Sequence, residues 1–426
     1  MLLGFLFVVL ILMMIFSVPI SFCMGGAGVF TILIEGKVPV LGAIQKMFVG
    51  MDSLPLLAIP FFMLAGSLMQ SGGISKRLVR FANSLVGHFK GGLAKVAVLA
   101  SMLFAGVSGS SSADTAAIGS LMMPAMAKQG YTKGFTATLQ ACAGTIGPII
   151  PPSILMIIYG SITGLSIGAM FLAGIIPGIM IGISLMIVAH IYAVKEKIPS
   201  NASLSLEEIK ESFIDAKWAL VMPFLIIGGI LSGVFTATEA GMIAVVFGLF
   251  VGLFIYKELR FRDLPKIFLG SGKLSCSILL IIGFANIFGW VLARLQFPKA
   301  SVEFLTSLST NPNVIMLVII IFFLILGCFI ETVAAVIIFV PILFPIVNQF
   351  GYDPIHFALV VIVTLLIGQI TPPVGVLLFL TTSMLKIPLK ETFKYVSAFV
   401  GVMILTLIII AYFPDLTMYI PRLFYK

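Results

Sequence analysis

Long apolar stretches without a charged side chain constrain this chain more than any other feature of its sequence. Residues 134–194 contain no Asp, Glu, Lys or Arg, and similar stretches recur along the whole chain. An apolar stretch of roughly 18 residues is long enough to span a bilayer as a helix. Hydrophobic residues make up 60% of the chain and charged residues 10%, whereas a soluble domain is roughly half apolar and a quarter charged. The sequence therefore predicts an all-α polytopic membrane protein.

The charge and the cysteines exclude other classes. The net charge is +9, but the Lys and Arg residues lie in short loops between apolar stretches, which is typical of cytoplasmic loops. We therefore expect a lipid bilayer, not nucleic acid, as the partner of these charges. The cysteines favour neither a disulfide framework nor a zinc site, because all lie in apolar stretches and none forms a CxxC pair: Cys23, Cys142, Cys276 and Cys328.

Prolines and polar residues divide the apolar stretches into elements. Ser17-Val18-Pro19 favours two short helices over one long helix in residues 2–33. We expect this region to remain in the mature protein and not to be a signal peptide, since it has no basic segment or cleavage site. Prolines break two later helices at residues 147–153 and 368–373. Residues 195–217 form the one long polar linker, with a surface amphipathic helix predicted over 204–214 and a new span beginning at Trp218.

Matched glycines and prolines predict two repeats, residues 1–217 (which include the cytoplasmic linker 195–217) and residues 218–426. A shift of 221 positions pairs residues that fix backbone geometry, namely Gly106 with Gly327, Pro124 with Pro345, Gly147 with Gly368, and Pro151-Pro152 with Pro372-Pro373. Chance does not explain agreement at so many glycine and proline positions, even in a sequence dominated by apolar residues. Each repeat thus contains a polar tip followed by a broken helix.

Charge predicts the orientation of the two repeats. Seven Lys or Arg residues bracket the first tip, whereas residues 300–385, which contain the second tip, have none. The first tip should therefore enter from the cytoplasm and the second from the opposite face. A segment that begins and ends on one face is a re-entrant hairpin. Two hairpins of opposite orientation, each with a broken helix, indicate the inverted repeats of secondary transporters.

The first tip, GVSGSSSADT at residues 106–115, has the chemistry of a cation and anion site. Where a helix ends and another begins, free carbonyls can coordinate Na⁺ and free N–H groups can hold an anion. Ser108, Ser110, Ser111 and Thr115 add hydroxyls, and the breaks at 147–153 and 368–373 expose further carbonyls. The alternative is that the small residues only allow close helix packing.

Three acids lie inside apolar stretches. Asp114 follows the first tip, where we expect it to cap the outgoing helix in preference to binding an ion. Glu239 follows a predicted turn and can be simply solvated. Glu331 lies in the second tip beside Thr332, so it is the acid that we expect nearest a ligand.

An enzymatic alternative rests on residues 106–109, which read GVSG and match the GxSG motif of intramembrane serine proteases. Such an enzyme needs a histidine at the same depth, and His88, His190 and His356 all lie near predicted loops or span ends. The sequence has no HExxH or Walker A motif. We therefore predict a transporter that is not an enzyme and has no cofactor.

Three segments together resemble the large membrane subunit of tripartite ATP-independent periplasmic (TRAP) transporters: SGSSSADTAA at 108–117, GPIIPPS at 147–153 and TPPVG at 371–375. The resemblance extends over essentially the whole chain. It implies an elevator-type secondary transporter of the bacterial inner membrane that imports an organic acid with Na⁺. It also implies a periplasmic substrate-binding protein and a small membrane subunit as partners, the latter expected as a separate chain because no extra N-terminal bundle is present.

The resemblance places the ion and substrate sites at the tips and breaks. The matching residues are Ser108, Gly109, Ser110, Ser111, Asp114, Thr115, Gly144, Thr145, Gly147, Pro151, Pro152, Ser153, Gly327, Glu331, Thr332, Gly368, Gln369, Thr371, Pro372 and Pro373. Backbone carbonyls and hydroxyls near Ser108, Ser110, Gly147, Gly327, Thr332 and Gly368 are expected to hold Na⁺. A stand-alone Na⁺/carboxylate symporter that needs no binding protein remains the main alternative. C4-dicarboxylates, sugar acids and sialic acid are all compatible substrates.

Overall fold

Helices account for all the regular secondary structure of residues 1–199 and 205–425, the part of the chain that the computed structural model describes. Within those residues, seven helices are long and apolar enough to cross a membrane. The predicted all-α polytopic class is confirmed.

The helices of the first half range in length from 10 to 29 residues. They are α1 (Leu2–Ile15), α2 (Ile20–Glu35), α3 (Val40–Met51), α4 (Ala58–Ser71), α5 (Ile74–Val86), α6 (Gly92–Ser108), α7 (Ser111–Lys128), α8 (Lys133–Gly144), α9 (Ile154–Thr163) and α10 (Ile167–Lys195). A 3₁₀ turn over Leu54–Leu57 precedes α4.

The second half continues in the same manner. Its helices are α11 (Leu206–Leu231), α12 (Ala237–Phe250), α13 (Leu264–Arg294), α14 (Phe297–Leu308), α15 (Pro312–Phe329), α16 (Thr332–Leu343), α17 (Pro345–Phe350), α18 (Pro354–Gly368), α19 (Val376–Leu385), α20 (Phe393–Tyr412) and α21 (Asp415–Phe424). A π-helical turn over Val251–Ile255 extends α12, and 3₁₀ turns over Phe261–Asp263 and Leu389–Thr392 precede α13 and α20.

Two boundary predictions have different outcomes. The N-terminal stretch is two helices, as predicted, because Pro19 caps α2 after a turn at Ser17. The prediction of a separate amphipathic helix over 204–214 is wrong, since α11 runs without interruption from Leu206 through Trp218 into the apolar segment. Residues 213–218 contain neither glycine nor proline, so nothing in the sequence stops the helix there. Position 204 lies outside the described residues.

The helix breaks fall at equivalent places in the two halves. Gly109 and Ser110 separate α6 from α7, and Ile330 and Glu331 separate α15 from α16. Adding 221 to the first residues of α7 and α8 gives the first residues of α16 and α18, Thr332 and Pro354. The broken helices predicted around residues 147–153 and 368–373 are the pairs α8/α9 and α18/α19.

Helices of the two halves pack against each other in matching pairs. α4 packs on α12 while α13 packs on α2, and α7 packs on α19 while α16 packs on α9. The helix after each tip therefore rests on the second segment of the other half's broken helix. These contacts between the halves bring the two tips to the same region of the molecule.

Candidate functional site

A cavity of about 610 Å³ lies between the two tips. Ser108–Ser112 line it from the first tip and Glu331–Val333 from the second, and Gln369 reaches it from the second break. The opposite wall belongs to α4 and α13. Residues predicted from distant parts of the sequence thus surround one space.

The first tip is held against the first break by a turn that favours glycine. Gly109 has a φ of +63°, a conformation that side chains disfavour. A Cβ atom on Gly109 would lie 2.5 Å from the carbonyl oxygen of Pro152. The amide of Ile154 also donates to the Gly109 carbonyl oxygen at 3.4 Å. The tip therefore packs directly on the broken helix, as its small residues allow.

Serines, and not Asp114, cap the helices that begin at the first tip and the first break. Ser110 is the N-cap of α7 and accepts from the Ala113 amide; Ser153 is the N-cap of α9 and accepts from the Met156 amide at 3.2 Å. The prediction that Asp114 caps the outgoing helix is wrong. Asp114 lies a turn further along α7, so its side chain turns back and accepts a hydrogen bond from the Ser108 hydroxyl.

Asp114 is buried with half of its carboxylate unpartnered. Its side chain has no solvent exposure, and among the described residues its Oδ2 atom has no hydrogen-bond partner. A Cβ atom on Gly147 would lie 2.5 Å from that Oδ2 and 3.0 Å from the Ser110 carbonyl oxygen. A buried carboxylate is costly unless a positive charge compensates it. A carboxylate, a hydroxyl and a carbonyl converge here, which are the oxygen ligands that hard cations take.

Glu331 occupies the position in the second tip that Ser110 occupies in the first. It is the N-cap of α16, where its Oε2 accepts from the Ala334 amide at 3.1 Å, and it also lines the cavity. The neighbouring Thr332 hydroxyl is buried and has no partner among the described residues. Glu331 therefore reaches the cavity while also capping a helix. Ala335 stands at the position equivalent to Asp114.

The second tip meets the second break through two glycines. A Cβ atom on Gly368 would lie 2.6 Å from the Cα of Gly327, and one on Gly327 would lie 2.8 Å from the Leu365 carbonyl oxygen. α15 therefore crosses the end of α18 with its backbone in direct contact. Any larger residue at either position would separate the tip from the break.

One hydrogen bond links the first tip to the second break. The Ser111 hydroxyl donates to Gln369 Oε1 at 3.2 Å, and Gln369 is only 3% exposed. The two residues lie 258 positions apart in the sequence. This bond joins the site residues of the two halves directly.

Several predicted residues lie behind the cavity wall and do not line it. Thr115 donates its hydroxyl to the Ser111 carbonyl oxygen at 2.7 Å, and Thr145 donates to that of Cys142 at 2.7 Å. Thr371 likewise donates to the Ile367 carbonyl oxygen. The others outside the lining are Asp114, Gly144, Gly147, Pro151, Pro152, Ser153, Gly327, Gly368, Pro372 and Pro373. The Pro151-Pro152 and Pro372-Pro373 bonds are both cis. These residues shape the backbone around the cavity.

Sequence reasoning missed the wall opposite the tips. Ser67 and Gln70 of α4 and Ser277 of α13 also line the cavity. Ser67 and Gln70 are three residues apart and therefore share a helix face. Polar residues at that spacing inside an apolar span were the available signal.

The remaining acid and the histidines have other roles. Glu239 forms a capping box with Thr236, whose amide and hydroxyl each donate to Glu239 Oε2 at 2.8 Å. His356 contacts the Thr417 hydroxyl at 2.8 Å and His190 contacts Lys95 Nζ at 3.1 Å. His88 packs on the Phe89 ring. Ser108 bonds to Asp114 and the Ser110 amide, so the described hydrogen bonds form no Ser-His dyad.

The comparisons with known proteins agree on one family. The family described as "Tripartite ATP-independent periplasmic transporter, DctM component" matches residues 7–416. A C4-dicarboxylate TRAP transporter large permease of Pseudomonas aeruginosa is 42% identical over 399 residues, covering 94% of this chain and 93% of that protein. A 2,3-diketo-L-gulonate TRAP transporter large permease of Escherichia coli is 40% identical over 372 residues, covering 87% of this chain and 88% of that protein.

A solved structure shares the fold. The crystal structure of the Alcanivorax borkumensis YdaH transporter superposes with a TM-score of 0.59 at 14% sequence identity, covering 90% of this chain and 86% of that chain. At that identity the likeness concerns the fold alone.

Proposed function

Because the chain belongs to the DctM component family of tripartite ATP-independent periplasmic transporters, we propose that it is the large membrane subunit of a Na⁺-coupled organic acid importer. The observation that carries the proposal is the cavity shared by both tips, beside a buried carboxylate with one oxygen that has no partner among the described residues. The family makes this chain a multi-pass membrane transporter component. The coupling ion and the mechanism are the parts that we propose.

The cation site is the group of oxygens around Asp114. A Na⁺ ion beside Oδ2 would compensate the buried charge, and the Ser108 hydroxyl and the Ser110 carbonyl lie next to it. The second half has no acid at the equivalent position, since Ala335 stands there. A second ion near Gly327, Thr332 and Gly368 would therefore be held by backbone carbonyls and a hydroxyl.

The substrate carboxylate would bind at the beginnings of α7 and α16. Both helices start at the cavity, and helix N-termini attract anions through free N–H groups and the positive end of the dipole. Among the described residues that line the cavity, Glu331 is the one charged side chain. An organic acid there must therefore be balanced by Na⁺ and helix ends, which makes binding depend on the ion.

The dependence of substrate binding on Na⁺ determines how strongly the membrane potential can drive uptake. Each net positive charge moved inward gains ~2.3 kcal/mol per 100 mV of membrane potential. Two Na⁺ ions carried with a monocarboxylate would move one net charge, which supports about fortyfold accumulation per 100 mV at ~1.4 kcal/mol per tenfold. Substrate uptake would then need no ATP.

The division of the cavity wall supports an elevator motion. One wall consists of α4 and α13, and the other consists of both tips together with α9 and α19. Gly66 of α4 has its backbone close to Ser108, since a Cβ atom there would lie 3.4 Å from the Ser108 Cα. We propose that the tips and broken helices, as inverted repeats, move together past α4 and α13.

The family supports the partners and the location that we propose. We propose that the chain lies in a bacterial inner membrane, that a small membrane subunit supports it, and that a periplasmic binding protein delivers the substrate. The alternative, a stand-alone symporter, has the same cavity but needs neither partner.

Reconstitution into liposomes tests the proposal. Radiolabelled succinate, malate and gluconate serve as probes, with the chain, the small subunit and the binding protein added singly and together. Uptake that needs all three proteins and an inward Na⁺ gradient supports the proposal. Uptake by the chain alone identifies the stand-alone symporter, and cleavage of a membrane peptide that Ser108→Ala abolishes identifies a protease.

A further inference from the structure

A second cavity, of about 400 Å³, lies where α10 ends and α20 begins. It shares no lining residue with the cavity between the tips. Aromatic side chains, aliphatic side chains and the two lysines Lys195 and Lys394 form its walls. The proposed transport function gives this cavity no role.

The aromatic wall is rigid and ends in hydroxyl groups. The rings of Phe135 and Tyr192 stack with centroids 3.7 Å apart, and Tyr395 packs edge-on against both. The Thr132 hydroxyl donates to the Tyr395 hydroxyl at 2.9 Å and lies 3.2 Å from that of Tyr192. Aromatic rings with a polar end are favoured at the boundary between lipid tails and headgroups.

The open side of this wall is positively charged. Lys195 lies in the last turn of α10 and Lys394 in the first turn of α20, and both are exposed. Within residues 1–199 and 205–425, neither lysine forms an ion pair with a carboxylate. One acid, Glu196, also lines the cavity. Lys128 ends α7 and Lys133 begins α8, so both flank the loop between these helices, and the positive-inside rule places this end of the bundle in the cytoplasm.

An apolar track leads away from the cavity along α10. Ile191 lines the cavity, and Ile187, Ile183 and Ile179 follow it at intervals of four residues. Residues four apart lie on one face of a helix. The four side chains are 61, 52, 48 and 41% exposed, so this face is open to lipid along three turns.

We propose that this cavity binds an anionic phospholipid of the cytoplasmic leaflet. The phosphate lies between Lys195 and Lys394, the glycerol region packs on Tyr192 and Tyr395, and one acyl chain follows the isoleucine track. A headgroup that bridges α10 and α20 ties together two helices from different halves of the chain. This inference does not depend on the proposed transport activity.

Native mass spectrometry of the purified chain in detergent tests the inference. Phosphatidylglycerol and phosphatidylcholine with the same acyl chains are titrated in parallel. The variant Lys195→Ala/Lys394→Ala should bind phosphatidylglycerol about thirtyfold more weakly, since each lysine near an anionic surface contributes about fivefold. The matched control, Lys266→Ala/Lys273→Ala, removes the same charge from exposed positions of α13 and should bind as the wild type does.

A second variant tests the space of the cavity independently of its charge. Ala398→Trp fills the cavity without changing the charge and should reduce binding of phosphatidylglycerol at least tenfold, with the helical circular dichroism unchanged. The proposal is overturned if the wild type binds both lipids equally, if the control weakens binding as much as the test variant, or if Ala398→Trp binds normally. It is also overturned if the variants, purified together with the small membrane subunit, lose that subunit while their lipid count is unchanged, because the cavity would then bind protein.

Discussion

Asp114→Asn is the substitution that bears most directly on the proposed cation site. Asparagine has the same size as aspartate, and its Oδ1 atom can still accept from the Ser108 hydroxyl. The substitution replaces Oδ2, which has no partner among the described residues, with an NH₂ group and removes the charge beside Gly147. It therefore changes the ion site while preserving the local packing.

The magnitude follows from the burial of the carboxylate. Removing one partner of a buried charge pair costs about 2–5 kcal/mol, so Na⁺ affinity should fall at least about thirtyfold. In the absence of Na⁺, the substitution should raise the free energy of unfolding. The wild type then contains a fully buried carboxylate whose Oδ2 has no partner among the described residues, whereas the variant contains a neutral amide.

Equilibrium dialysis with radioactive sodium measures the affinity of the purified chain, and thermal unfolding in NaCl against KCl measures the stabilisation. We expect the wild type to be stabilised by NaCl, because a ligand that binds only the folded state raises its stability. Asp114→Asn should lose this Na⁺-specific shift and be at least as stable as the wild type in KCl. Glu239→Gln, which removes an exposed acid in a capping box, is the matched control. Normal Na⁺ binding by Asp114→Asn, or equal loss in the control, would refute the reasoning.

Four other experiments test separate parts of the account. Gly368→Leu should abolish uptake in folded protein because its side chain would meet the Gly327 backbone, whereas Gly401→Leu, at a position with open space, should leave uptake unchanged in the same liposome assay. Ser110→Ala should abolish uptake and cost about 1 kcal/mol of stability through loss of the α7 cap; unchanged transport would contradict the site assignment. Ser111→Ala and Gln369→Ala should show a coupling energy of about 1 kcal/mol in a double-mutant cycle of urea unfolding, and additive effects would mean that their bond contributes nothing. Thr236→Ala should lower stability by about 1 kcal/mol while Na⁺ binding stays normal, and a loss of Na⁺ binding there would show that the sodium effect is not local to the tips.

Glycines and prolines that end helices explain why much of the fold was predictable. Gly109 and the two Pro-Pro pairs cannot continue a helix, so the sequence itself places the turns and breaks that the structure contains. The uninterrupted helix through Trp218 shows the limit of this reasoning. A change from polar to apolar composition marks a membrane boundary, but it does not end a helix unless glycine, proline or a cap is present.

The site was predictable only where backbone geometry defines it. The tips carry their signal in local sequence, whereas Ser67, Gln70 and Ser277 come from helices whose packing decides which face meets the cavity. The short distance of Asp114 from the tip predicts a helix cap. The structure gives the cap to Ser110, because the residue that precedes the first turn is positioned to accept from the amides of that turn.

Ion-dependent uptake by the assembled transporter is the decisive test of Na⁺ coupling. Liposomes that contain the chain and the small subunit receive the binding protein and labelled organic acid outside, without ATP and with either a Na⁺ or a K⁺ gradient. The account predicts accumulation above the external concentration with Na⁺ only, and its loss in Asp114→Asn. Equal accumulation with K⁺, or undiminished Na⁺-driven accumulation in Asp114→Asn, would contradict it.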